Sequence, residues 1–189
     1  MNKEAITTFL NHYLALGTII LGIIAIVWLY ALAYEWKTKE ETILLSKIYK
    51  FALPLGFLIS LSGTLMSLYY SDYLGILPCG LCWFQRVFIY SQTFIFGLAW
   101  YKNDHKIFPY TLLLSTVGLI IGLYHHYLQM GYSEFIPCPA IASTIDCAKP
   151  TFIEYGFVTF PLMAVVLFAI LIALSLTAER KWNKSSVTI

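Results

Sequence analysis

The sequence predicts an all-α integral membrane protein, a helical bundle of five transmembrane helices. Three observations carry this reading. Of the 189 residues 59% are hydrophobic and only 12% are charged, about half the charge that wets a soluble domain. Five apolar runs, 13–34, 51–70, 83–101, 109–128 and 157–177, reach the roughly 20 helical residues that cross a bilayer. Arg86 is the one Asp, Glu, Lys or Arg inside them. Strands are excluded for such isolated runs, because an open strand leaves its backbone groups unpaired in hydrocarbon.

The elements follow in order. Run 13–34 ends in Trp28, Tyr30, Tyr34 and Trp36, the aromatic belt of a membrane interface. Ala31-Leu32-Ala33 matches the small-residue pattern of a signal-peptide cleavage site. The preceding apolar run is too long for one, however, and Lys3 beside Glu4 is a poor basic start. The connection 35–50 mixes charges with Ile43, Leu44, Leu45 and Ile48, the pattern of a short amphipathic helix on the membrane surface. After run 51–70 comes a short link, 71–82, with Gly75, Pro78 and Gly80. Run 83–101 leads through a tight polar turn at 102–108 into run 109–128. The segment 129–156 carries Pro137, Pro139 and Pro150, which disfavour a long helix, and run 157–177 closes the bundle.

Charge placement sets the expected orientation. Nine basic residues (Lys37, Lys39, Lys47, Lys50, Lys102, Lys106, Arg180, Lys181, Lys184) fall on one side and three (Lys3, Arg86, Lys149) on the other. Basic short loops stay cytoplasmic, so the N-terminus is expected outside and the C-terminus inside. The net charge of +2 gives no reason to expect a nucleic-acid partner.

On that reading all four cysteines lie outside, where disulfides persist. Cys79 and Cys82 form a C-x-x-C. As a staple so short a ring contributes only roughly 2 kcal/mol, so redox activity is the stronger reading. Pro78 precedes the motif and a helix follows it, and a helix N-terminus favours a thiolate. Arg86 lies one turn deeper on the face of Cys82. A charge inside a span marks a functional site by default; Arg86 would stabilise a Cys82 thiolate or hold a carbonyl ligand. Cys138 and Cys147 form the second pair. His125 and His126 end the fourth span on the same side, and one of them could hydrogen-bond a redox ligand or relay protons; about 100° apart on a helix, at most one faces the bundle. The competing readings are structural disulfides for either pair, interfacial snorkelling for Arg86, solvated histidines, and half of a metal site for the C-x-x-C. Nothing in the sequence completes a well-spaced Cys/His set, so no metal is expected.

The run Pro78-Cys79-Gly80-Leu81-Cys82-Trp83-Phe84-Gln85-Arg86 resembles the P-C-x-L-C-W-[YF]-Q-R signature of the DsbB/BdbC family, closest to the BdbC type. Cys138-Pro139-Ala140 through Asp146-Cys147 resembles its second external pair, and His126-Tyr127-Leu128-Gln129 the end of its penultimate span. The resemblance implies a four-helix DsbB-like core at 51–178, with an extra N-terminal helix and cytoplasmic connection at 1–50 and a cytoplasmic tail at 179–189. It implies a membrane thiol:quinone oxidoreductase of the bacterial plasma membrane. Cys79, Cys82, Cys138 and Cys147 would be catalytic, and Arg86 and His126 would contact the quinone, menaquinone or ubiquinone. The partner would be a secreted thioredoxin-like thiol oxidase of the DsbA or BdbD kind, and the product disulfide bonds in exported proteins. Two departures stand out: the extra first span, and Gln85 where DsbB itself tends to carry Glu. Two alternatives are a VKOR-like quinone reductase, whose loop pair precedes its C-x-x-C, and a non-enzymatic membrane protein with structural disulfides.

Overall fold

The computed structural model describes residues 3–38, 42–138 and 146–187, so Lys39 and the Pro139-Ala140 pair lie outside the described residues. The chain is a helical bundle. Among the described residues six α-helices run in order: α1 (Lys3–Thr38), α2 (Ile43–Lys50), α3 (Ala52–Leu68), α4 (Gly80–Lys102), α5 (Phe108–Gln129) and α6 (Phe160–Val187). A π-helical turn (Tyr69–Tyr73) extends α3, and a 3-10 turn (His105–Ile107) leads into α5.

Four helical stretches, Thr7–Thr38, Ala52–Tyr73, His105–Gln129 and Phe160–Trp182, are long and apolar enough to cross a membrane. They overlap four of the five expected spans, with runs 51–70 and 157–177 starting one and three residues earlier. The remaining one, α4, is as long at 23 residues but less apolar, because it carries Gln85, Arg86 and Gln92. Gln85 and Gln92 are buried, so that polarity points into the bundle rather than at lipid, and α4 packs between α3 and α5.

The most extensive pairings join α5 to α6 and α3 to α4, with α1 laid along α6. Hydrocarbon solvent supplies little drive to bring helices together, so close packing and interhelical hydrogen bonds must do so. Both are present. Thr64 bonds Thr93, Ser115 donates to Gln92 Oε1 and Thr111 bonds Ser175, each at 2.9 Å. A fully buried cluster of Phe96, Phe108, Leu171 and Leu174 fills the end remote from the cysteines.

At that end α1 is locked to α6. The Trp28 indole N–H donates to Thr177 Oγ1 at 3.0 Å, and the Arg180 guanidinium donates to the backbone oxygens of Glu35 (2.7 Å) and Leu32 (3.5 Å). Orphan carbonyls of a helix C-terminus need such donors. The Glu35 carboxylate, 1% exposed, accepts the Thr42 N–H and so fixes the turn into α2. In α2, Leu45 is buried in one cluster with Leu32 and Ala173, while Ile43 and Leu44 are exposed.

At the opposite end the start of α1 meets the cysteine loops. Tyr70 hydrogen-bonds Asn11, and the Tyr155 hydroxyl lies 3.2 Å from His12 Nε2. The N-terminus and the four cysteines therefore share one end of the bundle. The long segment between α5 and α6 is non-helical where described, as its prolines required.

Candidate active site

Cys79 caps α4: its backbone is extended, and its sulfur accepts the Cys82 N–H at 3.4 Å. Pro78 has no N–H and disfavours helix at Leu77 before it, and of the first-turn N–H groups that lack an intrahelical partner that of Cys82 meets the sulfur. The two sulfurs lie 3.2 Å apart as free thiols sharing a hydrogen bond. Cys79, just outside the membrane-spanning part of α4, is 4% exposed.

His125 of α5 completes the group. Fully buried, it places Nε2 3.5 Å from Cys79 Sγ, while Gln85 Nε2 lies 3.0 Å from its Nδ1 and Gln129 Nε2 3.2 Å from its Nε2. The Gln85 and Gln129 amides hold the ring from both nitrogens and keep Nε2 turned toward the sulfur. The Cys79 thiol accordingly falls from its ordinary value of 9.0 to about 4. The shared hydrogen bond with Cys82 is the largest cause; burial opposes it, and the His125 contact and the Cys82 N–H assist. The sequence offered Arg86 either as the partner of a Cys82 thiolate or as a holder of a carbonyl ligand. The geometry concentrates donors on Cys79 instead.

Cys138 and Cys147 are joined as a disulfide. Cys147 is 1% exposed and belongs to one packed cluster with Cys79, Leu81 and Leu128, against which Cys82, Tyr124 and Cys138 also pack. The loop is pinned there: the Tyr124 hydroxyl binds both backbone groups of Ile136, and Glu134 accepts the Cys138 N–H. The two pairs, more than fifty residues apart in sequence, thus belong to one packed cluster.

Arg86 and His126 take other partners. Arg86 donates from Nε to Ser67 Oγ (2.9 Å) and from Nη2 to Ser67 O (3.0 Å), with its guanidinium 5.2 Å above the Trp83 ring. It bridges α4 to α3 one turn below the cysteines. His126 Nδ1 lies 3.0 Å from Thr159 Oγ1, tying α5 to the segment before α6. Of the adjacent histidines it is His125 that faces the sulfurs. The sequence reading missed Ser67, and no motif marks it; its role follows from lying across the helix interface from Arg86.

A dithiol at a helix N-terminus, a buried imidazole and a neighbouring disulfide, all at one end of an apolar bundle, define a membrane protein built for thiol–disulfide chemistry. The comparisons agree. A family model described as disulfide bond formation protein DsbB matches residues 49–178. The chain is 38% identical over 128 residues to the SPbeta prophage-derived disulfide bond formation protein B of Bacillus subtilis, covering 68% of this chain and 85% of that one. It is 36% identical over 131 residues to a probable disulfide formation protein of Chlamydia caviae (69% and 93%), and 31% identical over 119 residues to disulfide bond formation protein C of Bacillus subtilis (62% and 84%). No solved structure matches. The chain belongs to the DsbB family of disulfide bond formation proteins, as an all-α integral membrane member.

Proposed function

We propose that the protein is a thiol:quinone oxidoreductase that reoxidises a secreted thioredoxin-like thiol oxidase and so sustains disulfide formation in exported proteins. The observation that carries this reading is the packing of the Cys138–Cys147 disulfide into one cluster with the Cys79/Cys82 dithiol, since sulfur-to-sulfur transfer requires contact. A thiolate of the reduced partner attacks Cys138; the bond to Cys147 breaks and a mixed disulfide forms. The partner's second thiol resolves it, and the loop cysteines pass the electron pair to the Cys79–Cys82 disulfide by the same kind of exchange. The resulting dithiol gives two electrons and two protons to a quinone, which leaves as quinol. In sum, partner dithiol plus quinone yields partner disulfide plus quinol.

In this reading Arg86, held by Ser67, presents its remaining N–H groups toward a quinone carbonyl, and His126 steadies the wall between α5 and α6. The cysteine end faces outside the plasma membrane, consistent with nine basic residues on the other side. The test uses the purified full chain in detergent, a reduced DsbA-like oxidase and a soluble quinone. Quinone reduction is expected, falling to background in a Cys79→Ser/Cys82→Ser variant; turnover unchanged in that variant refutes the reading. In the same assay Arg86→Ala is expected to raise the quinone KM about tenfold or more while thiol exchange proceeds nearly as before.

A further inference from the structure

Sequence spacing left the C-x-x-C without a third metal ligand, yet the fold brings one 46 residues downstream. Cys79, Cys82 and His125 each offer a ligand atom, and the three atoms lie within 4.8 Å of one another. We propose that the reduced site is a binding site for a soft divalent cation such as zinc, and that occupancy locks the pair in its reduced, inactive form.

The geometry is close to that of a tetrahedral site. Zn–S and Zn–N bonds of about 2.3 and 2.0 Å place two sulfurs roughly 3.8 Å apart and a sulfur and a nitrogen roughly 3.5 Å apart. The corresponding separations here are 3.2 Å for Cys79 to Cys82 and 3.5 Å for Cys79 to His125 Nε2. Cys82 and His125 lie within 4.8 Å of one another, so Cys82 must turn away from Cys79 and toward the imidazole to complete the set. The imidazole is already oriented: Gln85 holds Nδ1, the outer hydrogen bond that metal-ligating histidines usually have. With the metal on Nε2 the ring proton sits on Nδ1, and a Gln85 amide turned to present Oε1 accepts it. Gln129, beside Nε2, or water fills the fourth position.

Charge favours the complex as well. The pair gives up whatever thiol protons it holds and binds as two thiolates, the cation contributes two positive charges, and the product is neutral in a buried site, where an uncompensated charge is costly. No electrons move. The metal-bound thiolates can neither attack a disulfide nor reduce an acceptor, whereas the Cys79–Cys82 disulfide has no thiolate to offer. The cation therefore discriminates between redox states. The inference requires only that the pair be reducible, and its test needs neither partner nor quinone, so it can succeed or fail independently of the proposed activity.

The experiment titrates Co²⁺ and Zn²⁺ into the full chain in detergent, reduced at Cys79/Cys82 or fully oxidised. One Co²⁺ per reduced chain is expected, with thiolate charge-transfer absorption, protection of both cysteines from alkylation and no such signal from the oxidised chain. His125→Ala is expected to weaken binding at least tenfold. Equal binding to the oxidised chain, or equal affinity in His125→Ala, overturns the proposal. X-ray absorption on the unaltered Zn²⁺-loaded chain decides without any variant: two sulfurs and an imidazole nitrogen support the site, and a shell lacking imidazole refutes it.

Discussion

Cys79 owes its character to its position at the cap of α4. Its sulfur meets the Cys82 thiol, the Cys82 N–H and the His125 ring, and these outweigh the burial that would otherwise keep it protonated. The consequence is a pH dependence of definite sign. A depressed thiol stabilises the folded, reduced chain fully above the ordinary value of 9.0 and loses that contribution as the pH falls through about 4. Stabilising the reduced form also makes the disulfide more oxidising. Alkylation of Cys79 in the reduced chain, followed by mass spectrometry, should stay nearly constant from about pH 8 down to about pH 5 and fall off only as pH 4 is approached. A rate that drops tenfold per unit from pH 8 downward would show an ordinary thiol. In His125→Ala the fall-off should move to higher pH.

Between elements, close approach decides stability. At Gly118 of α5 an added Cβ would meet the Phe168 ring of α6 at 2.4 Å, and Phe168 is fully buried with no room to move. The same holds at Gly56 against Phe96. Overfilling such contacts costs about 1–3 kcal/mol. Gly118→Ala should therefore lower the Tm in detergent, while Gly17→Ala, where nothing lies within 4 Å, should leave it unchanged or slightly raised through better helix propensity. A Gly118→Ala protein as stable as its parent would mean that the α5–α6 contact is looser than described. α1 uses polar clasps instead, Trp28 to Thr177 and Arg180 to the Leu32 and Glu35 carbonyls, which suits a helix whose outer face is largely lipid-facing.

For the whole molecule, the fold fixes which groups share a side. His12 and Asn11 of α1 touch the cysteine-end segments, so N-terminus and sulfurs lie together, and the end of α6 lies opposite beside α2. With the positive-inside expectation, Cys138 and Cys147 should, after mild reduction, react with an impermeant thiol reagent from outside intact cells. Reaction only in inverted vesicles would reverse the orientation. At 36 residues α1 is roughly 54 Å long against a hydrocarbon core of about 30 Å, so it extends beyond the bilayer. The run 13–34 marked only its lipid-buried portion, because hydropathy reports the solvent around a helix and not where its backbone hydrogen bonds stop.

The amino-acid sequence by itself determined the all-α class, four of the five apolar spans, the C-x-x-C at a helix start and the lone arginine one turn beyond it. Each of these is written in local terms: runs of apolar residues, a proline before a cysteine, an arginine one turn on. The tertiary structure alone decided which histidine meets Cys79, that Ser67 holds Arg86, and that Cys147 packs beside Cys79 and Leu128. His125 and His126 are chemically identical and adjacent, and only the rotation of α5 against α4 and α6 separates one that faces sulfur from one that faces Thr159. That rotation is set by packing summed over whole helices, and no short stretch of residues encodes it.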